Sequence, residues 1–242
     1  SWDSDSYDVS RAYLNSVGLI LVAATVRQMR FAPFVDSLGG EGAEAWDILT
    51  ASRDAQARGE DVIVLSIGDP DFATPEFVVD AAVDALRNGD THYTELEGRP
   101  SLREAISKKM SASAGIEVGI DYVTVLAGTQ NAFYAACRCL FGVGDEVLVL
   151  DLAYVTYEAA IASTGASQVR VGQPSSNGFR PDLTRLEEAI SPATRGIVFS
   201  NPSNPTGVVL TEGELAAIAD IAIKNDLWVV VDEVYSDLVY ER

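Results

Sequence analysis

Several residues on which enzyme chemistry often depends are scarce in this sequence. Its 242 residues include only three lysines, two cysteines and one histidine, His92. Metal sites built from histidine and cysteine clusters are therefore excluded. A Ser-His-Asp hydrolase would need His92 itself as its base. Cys137 and Cys139 stand two residues apart in a predicted helix, so their side chains point in different directions and we expect no disulfide between them.

Positive charge is scarce overall. Lysine and arginine together number 17 against 36 acidic residues, which gives a formal net charge of -19. A chain this negative repels both nucleic acid and anionic membrane surfaces, so we expect neither as a partner. The apolar run over residues 17–26 is too short to span a bilayer. Two unpaired cysteines fit a reducing cytoplasm, and we expect a cytoplasmic protein.

Apolar runs of strand length alternate with helical patterns from residue 42 onward. The runs lack the polar alternation of half-exposed strands, which predicts an α/β fold with a mainly parallel sheet covered by helices on both faces, three layers in all. The predicted strands are 61–68, 122–128, 146–151, 167–172, 196–200 and 227–233. One predicted helix begins with Thr74 as its N-cap and Pro75 at its first helical position.

The last predicted strand ends in carboxylates. The stretch LWVVVDEVY (227–235) places Asp232 and Glu233 directly after five apolar residues. Burying an unpaired carboxylate costs on the order of several kcal/mol, so we expect a cation there. Two cations are familiar: magnesium beside a nucleotide, and the protonated ring nitrogen of a cofactor. The magnesium site needs a phosphate loop ending in Gly-Lys-Ser/Thr, and it is excluded because no lysine here follows a glycine.

Two other strand ends carry recognisable turns, and in a parallel sheet these ends lie along one edge, where ligands bind. AGTQNA (127–132) has one glycine where a dinucleotide site needs three. It still leads from a strand into a helix N-terminus, which suits a phosphate, although an ordinary turn is an equal alternative. In SNPSNPTG (200–207), two Asn-Pro steps predict a rigid path that holds the amide of Asn204 at the sheet edge.

These motifs together resemble a known family. NPSNPTG, followed 28 residues after Asn204 by Asp232 and then by Tyr235, is similar to the class I/II aminotransferases, the pyridoxal-phosphate enzymes of fold type I. Further stretches resemble other motifs of the family, in the family's order: IGDPDFATP (67–75), YTELEGRPSLREAI (93–106) and AGTQNA. The resemblance runs from about Arg30 to Arg242. It implies pyridoxal 5'-phosphate as the cofactor, and amino acids and 2-oxo acids as substrates.

The resemblance also implies roles for individual residues around the cofactor. Asp232 matches the carboxylate that pairs with the protonated pyridine nitrogen, which would be the cation expected at the strand end. Tyr235 and Asn204 match the donors to the ring oxygen. Tyr154 matches the aromatic side chain that stacks on the ring, with Tyr157 as a competing candidate.

The remaining implied roles concern the phosphate, the substrate and a second subunit. Gly128, Thr129 and Gln130 match the residues that hold the phosphate. Tyr93 matches a tyrosine that reaches the phosphate of the neighbouring subunit, which implies a homodimer with shared active sites. Gly68 matches a glycine close to the substrate carboxylate, where Asn204 also contributes.

The catalytic lysine of the family has no match in this chain. That lysine forms a Schiff base with the cofactor, and in the family it follows the strand after the Asp-Tyr motif. Lys108, Lys109 and Lys224 lie on predicted helices instead. The resemblance therefore implies a fragment that ends before the Schiff-base lysine, expected beyond Arg242, and that is inactive alone.

The sequence patterning and the resemblance together divide the chain into three parts. We interpret 1–28 as an extension or upstream readthrough, 29–72 as a segment that contributes to the small domain, and 73–242 as the truncated large domain that binds the cofactor. A beta-lyase with the same cofactor residues is an alternative function. An aminotransferase-like effector domain of a transcription regulator is a weaker one, because the residues before Met29 include only Arg11 and Arg27 as basic residues.

Overall fold

The computed structural model describes residues 41–240 together with Val35 and Leu38, and gives only the backbone of residues 41–45. The predicted extension over 1–28 and the beginning of the predicted segment 29–72 lie outside the described residues. Within the described part, no helix is both long and apolar enough to cross a membrane.

Helices and strands alternate through most of the described chain. The helices are α1 (Glu41–Ala57), α2 (Glu76–Arg87), α3 (Pro100–Ala114), α4 (Thr129–Leu140), α5 (Tyr157–Ala162), α6 (Leu183–Glu188) and α7 (Glu212–Lys224). The strands are β1 (Glu146–Leu150), β2 (Ser167–Val171), β3 (Thr194–Ser200) and β4 (Trp228–Asp232). All neighbouring strands pair in parallel, in the order β2-β1-β3-β4. The predicted parallel sheet is therefore confirmed.

The two faces of the sheet bury separate apolar clusters, because successive residues of a strand point to opposite sides. Val147 and Val149 of β1 belong to a cluster with α4 and α5. Leu148 and Leu150 of the same strand belong to a cluster with α6 and α7. None of these four side chains is more than 4% exposed. Helices thus cover both faces, and the described part has the predicted three-layer αβα architecture.

Two of the six predicted strands are wrong. Residues 61–65 form no strand, and Ile63 and Leu65 are 82% and 88% exposed. Residues 123–127 follow a short 3₁₀ turn at Ile120–Tyr122 and likewise form no strand, although Val125 N–H donates to the carbonyl of Glu97 at 2.8 Å. An apolar run favours burial, but a strand also needs a neighbour to complete its hydrogen bonds, and neither run has one among the described residues.

The predicted start of α2 is also wrong by one residue. The N-cap is Pro75, whose ψ of 136° is extended, and the first helical residue is Glu76. No side-chain hydrogen bond caps this helix, so Thr74 does not act as its cap. The carbonyl of Pro75 already accepts hydrogen bonds from the N–H groups of Val78 and Val79, which places proline at the cap itself.

The helix that covers one face beside β3 and β4, α7, begins with a reciprocal cap. The hydroxyl oxygen of Thr211 accepts a hydrogen bond from the N–H of Glu214 at 3.2 Å, and the Glu214 carboxylate accepts from the N–H of Thr211 at 2.8 Å. Arg180 also binds this carboxylate, at 2.5 Å. The cap therefore fixes the point at which the chain leaves the strand-end loop after β3 and enters α7.

We predict that Thr211→Ala lowers the free energy of unfolding by about 1 kcal/mol, because an N-terminal N–H of α7 loses its acceptor. Thr211→Ser keeps the hydroxyl and is the matched control, with a much smaller loss. Urea denaturation of the chain measures both values. Equal losses in the two variants would show that the methyl group of Thr211, and not its hydroxyl, stabilises this helix.

Candidate active site

Three strand-end loops meet at one edge of the sheet because β1, β3 and β4 are neighbours. These loops comprise residues 151–156, 201–210 and 233–240. Asn201 N–H donates to the carbonyl of Asp232 at 3.0 Å, which continues the ladder between β3 and β4 by one residue. The polar residues predicted from the strand ends are thereby brought to a common edge.

The carboxylate of Asp232 is held by a buried tyrosine. The hydroxyl of Tyr157, on α5, donates to Oδ2 of Asp232 at 2.7 Å, and the N–H of Val234 donates to Oδ1 at 3.1 Å. Tyr157 is 1% exposed, and its ring lies 4.5 Å from that of Phe133 and 6.0 Å from that of Tyr154 between centroids. A carboxylate has room for about four acceptor contacts, so Asp232 keeps capacity for a cationic partner.

Burial raises the pKa of Tyr157, and the hydrogen bond to the negatively charged Asp232 raises it further. The phenol therefore stays protonated, and remains a donor, throughout the neutral range. Sequence reasoning considered Tyr157 only as a competing candidate for the stacking side chain. Its contact with Asp232 spans 75 residues and depends on how α5 packs against β4, so no local pattern indicates it.

The loop after β3 is fixed by its own hydrogen bonds. Oδ1 of Asn201 accepts from the N–H of Leu210 at 2.9 Å, and Oγ of Ser200 accepts from the N–H of Asn204 at 3.1 Å. From the same loop, Nδ2 of Asn204 donates to the hydroxyl oxygen of Tyr235 at 3.4 Å. The structure thus brings together two of the predicted site residues from different loops.

The first turn of α4 lies beside the loop after β1. Gly128 has a φ of 86°, which favours glycine, and it is followed by Thr129 as the first helical residue, with no side-chain hydrogen bond at the cap. Oε1 of Gln130 accepts from the hydroxyl of Thr156 at 2.5 Å. A helix N-terminus without a side-chain cap presents N–H groups and a positive dipole end, both of which suit an anion.

A cavity of about 980 Å³ opens along this edge. Its walls include four of the predicted site residues, Gly68, Tyr154, Asn204 and Tyr235. Five others are not part of these walls: Asp232, Gly128, Thr129, Gln130 and Tyr93. Asp232 and Gln130 are nevertheless joined to the loops that form the walls. Tyr93 is fully exposed and is not part of the cavity walls.

None of the lysines lies among the cavity walls. Lys108 and Lys109 belong to α3, and Lys109 binds Asp237 at 2.5 Å. Lys224 ends α7 and binds Glu187 at 2.5 Å. The described cavity walls therefore offer a pair of uncharged donors, Asn204 and Tyr235, but no amine, while the carboxylate of Asp232 and the first turn of α4 lie outside those walls.

The sequence of this chain is similar to those of proteins with named activities. The family model described as "Aminotransferase class I and II" matches residues 60–242, and the chain belongs to that family. The chain is 41% identical over 213 residues to the arginine–pyruvate transaminase AruH of Pseudomonas aeruginosa, covering 88% of this chain and 54% of that protein. It is 39% identical over 184 residues to a probable aspartate/prephenate aminotransferase of Thermus aquaticus, covering 76% and 48%.

Solved structures give the same result. The aspartate aminotransferase from Thermus thermophilus with maleate aligns with a TM-score of 0.84 and 33% identity, over 88% of this chain and 56% of that one. The described sheet and its helices are thus part of the fold type I architecture of these enzymes. The chain spans about half the length of the curated relatives it matches.

We predict that Tyr157→Phe lowers the free energy of unfolding by about 1 to 3 kcal/mol at neutral pH, because Asp232 loses a charge-assisted hydrogen bond while the ring packing remains. The raised pKa of Tyr157 adds a pH dependence. The contribution of Tyr157 to the free energy of unfolding is fully present below about pH 10, the ordinary pKa of tyrosine. It is lost as the pH rises towards the raised pKa of the folded state.

Urea denaturation between pH 7 and 11 measures both effects. The wild-type chain should lose more stability above about pH 10 than the variant does. Tyr122→Phe, at a tyrosine that is 85% exposed, is the matched control and should keep the wild-type profile. Identical profiles for the wild type and Tyr157→Phe would contradict the assigned role of the Tyr157 hydroxyl.

Proposed function

We propose that the whole protein containing this chain is an aminotransferase that uses pyridoxal 5'-phosphate to move an amino group from an amino acid to a 2-oxo acid. The observation that carries the proposal is the carboxylate of Asp232, fixed by Tyr157 at the end of β4 beside the Asn204–Tyr235 pair. The names of the relatives, an arginine–pyruvate transaminase and several aspartate aminotransferases, support the same reaction class.

The residues present fit this cofactor chemically. The first turn of α4, with Gly128, Thr129 and Gln130, suits its phosphate because no side-chain hydrogen bond caps that helix. Asp232 suits its pyridine nitrogen, since one carboxylate oxygen is already fixed by Tyr157. The cofactor, when bound, supplies a protonated ring that withdraws electrons from the α-carbon of the substrate.

The other residues orient and enclose the ligand. Asn204 and Tyr235 contribute an amide N–H and a phenol O–H on the cavity wall, where they suit the ring oxygen. Tyr154 lies on the same wall and presents an aromatic side chain to the ring. Tyr157 is buried, so it acts through Asp232: its hydrogen bond fixes the carboxylate that keeps the ring nitrogen protonated.

The proposal includes an assembly and a substrate site. Tyr93 is fully exposed in the single chain, so its hydroxyl is available to the phosphate site of a second subunit in a homodimer. Gly68 lies on the cavity wall with open space where a side chain would be, and Asn204 shares that wall, so both suit the substrate carboxylate. Two free cysteines, one of them buried, agree with a cytoplasmic location.

The division of the chain is part of the proposal as well. Residues 29–72 contribute to the small domain and 73–242 form the cofactor-binding part of the large domain, while 1–28 is an extension or upstream readthrough. The lysine that binds the cofactor covalently comes from sequence beyond Arg242. The length of the relatives supports this assignment, because the chain covers about half of each.

We predict that Asp232→Asn in the whole protein lowers kcat on the order of 100-fold or more, because an amide no longer keeps the ring nitrogen protonated. The amide oxygen can still accept from Tyr157, so the fold should persist. Asp220→Asn, at an exposed position of α7, is the matched control and should leave kcat unchanged. Assays with several amino acids and a 2-oxo acid acceptor measure the rates.

Three outcomes would contradict parts of this assignment. Near-normal kcat in Asp232→Asn would remove Asp232 from its role. Release of ammonia from the amino acid in the absence of any 2-oxo acid would indicate a lyase. If no amino acid of a broad panel undergoes either transfer or release of its amino group, the proposed function itself is contradicted.

We predict that this chain alone forms no covalent bond with the cofactor at a defined lysine. Lys109 and Lys224 are bound in exposed ion pairs and Lys108 is exposed on α3, and none of the three lines the cavity. Incubation with pyridoxal phosphate, reduction with borohydride and mass spectrometry should show only partial, unselective labelling. Stoichiometric labelling of one lysine together with amino-group transfer would contradict the prediction.

A further inference from the structure

The described cavity walls carry no ionised side chain. Besides the residues proposed to hold the cofactor, the walls are formed largely by aromatic and aliphatic side chains. The largest of these are Trp46, Ile67, Leu238 and Tyr240. The polar groups on the same walls, such as Ser66 and Ser203, are neutral. No Asp, Glu, Lys or Arg is part of the walls within residues 46–240.

This composition decides which substrate side chain the walls accommodate. An ionised side chain that enters the cavity loses water and finds no opposite charge on these walls, which is unfavourable. The ion pair of Lys109 with Asp237, in the loop after β4, is already neutralised within itself and is not part of the walls. An apolar side chain, in contrast, gains from leaving water.

Two aromatic residues on the cavity walls favour an aromatic side chain on the substrate. Trp46 on α1 and Tyr240 after β4 are 42% and 90% exposed, although both line the cavity. Exposed aromatic surface on a cavity wall is available for contact with a ligand, and aromatic rings attract one another through offset or edge-to-face packing. Trp46 shares the wall with Ile67 and Gly68, so the proposed carboxylate position and the apolar surface are contiguous.

We propose that this cavity selects amino acids with a large apolar side chain, aromatic ones above all, and that Trp46 is a specificity-determining residue. The inference rests on the proposed function and deepens it. It sets this chain apart from relatives that are named for arginine and aspartate, whose side chains are ionised.

The first test is a substrate panel on the whole protein loaded with its cofactor, with one 2-oxo acid acceptor throughout. The value of kcat/KM for phenylalanine should exceed those for aspartate and arginine by about tenfold or more, with leucine in between. Higher kcat/KM for aspartate or arginine would overturn the inference while leaving the proposed function intact.

The second test is independent of turnover. Calorimetry with the whole protein compares the Kd of 3-phenylpropanoate, a carboxylate with an aromatic side chain and no amino group, with the Kd of succinate. The aromatic compound should bind about tenfold more tightly. If no amino acid reacts but this preference is found, the proposed function fails and the inference stands. Tighter binding of succinate overturns the inference.

Variants locate the preference on Trp46. Trp46→Ala should lower kcat/KM for phenylalanine about tenfold, mainly through KM, and weaken the binding of 3-phenylpropanoate by a similar factor. Alanine as the donor should be affected far less. Trp46→Phe keeps an aromatic surface and should retain most of the preference, which separates specificity from a loss of folding. Ile48→Ala, on the same helix but outside the cavity walls, should behave as the wild type. Equal losses for phenylalanine and alanine in Trp46→Ala would overturn the role of Trp46.

Discussion

The hydrogen bond between Tyr157 and Asp232 is the constraint on which the geometry of the site depends. A carboxylate at the end of an apolar strand is unfavourable unless donors surround it, and Tyr157 supplies one from inside the core. Tyr157 is itself fixed by Phe133 of α4. One hydrogen bond therefore couples β4 to α5 and α4, so the carboxylate and the anion-binding end of α4 are set relative to each other.

The order of the strands in the sheet is the second determinant of the geometry of the site. The order β2-β1-β3-β4 makes the loops after β1, β3 and β4 neighbours, although about 80 residues of chain separate the first from the last. This order brings Asn204 within reach of Tyr235 and places Tyr154 on the same cavity wall. The ion pairs of Lys109 and Lys224 are exposed and contribute little to stability. The described cavity walls carry no charge, so their shape depends on packing.

The sequence predicts the central fold well where its patterns have one physical solution. Four apolar runs separated by helices form a parallel sheet with both faces covered, and the expected edge carries the polar residues. The runs at 61–68 and 122–128 are also rich in apolar residues but form no strands, since hydrogen bonds to a neighbour are not encoded in the run itself. The start of α2 was displaced because Pro75 serves as the cap and not as the first helical residue.

By itself the sequence determined the motifs: which residues follow each strand, how far Asp232 stands from Asn204, and that none of the three lysines directly follows a predicted strand. These properties depend on local order along the chain, which a sequence states directly. Only the tertiary structure decided that Tyr157 holds Asp232, that Tyr154 lines the cavity, and that the described cavity walls are uncharged. Each of these depends on contacts between residues far apart in the chain, and packing of the helices on the sheet determines such contacts.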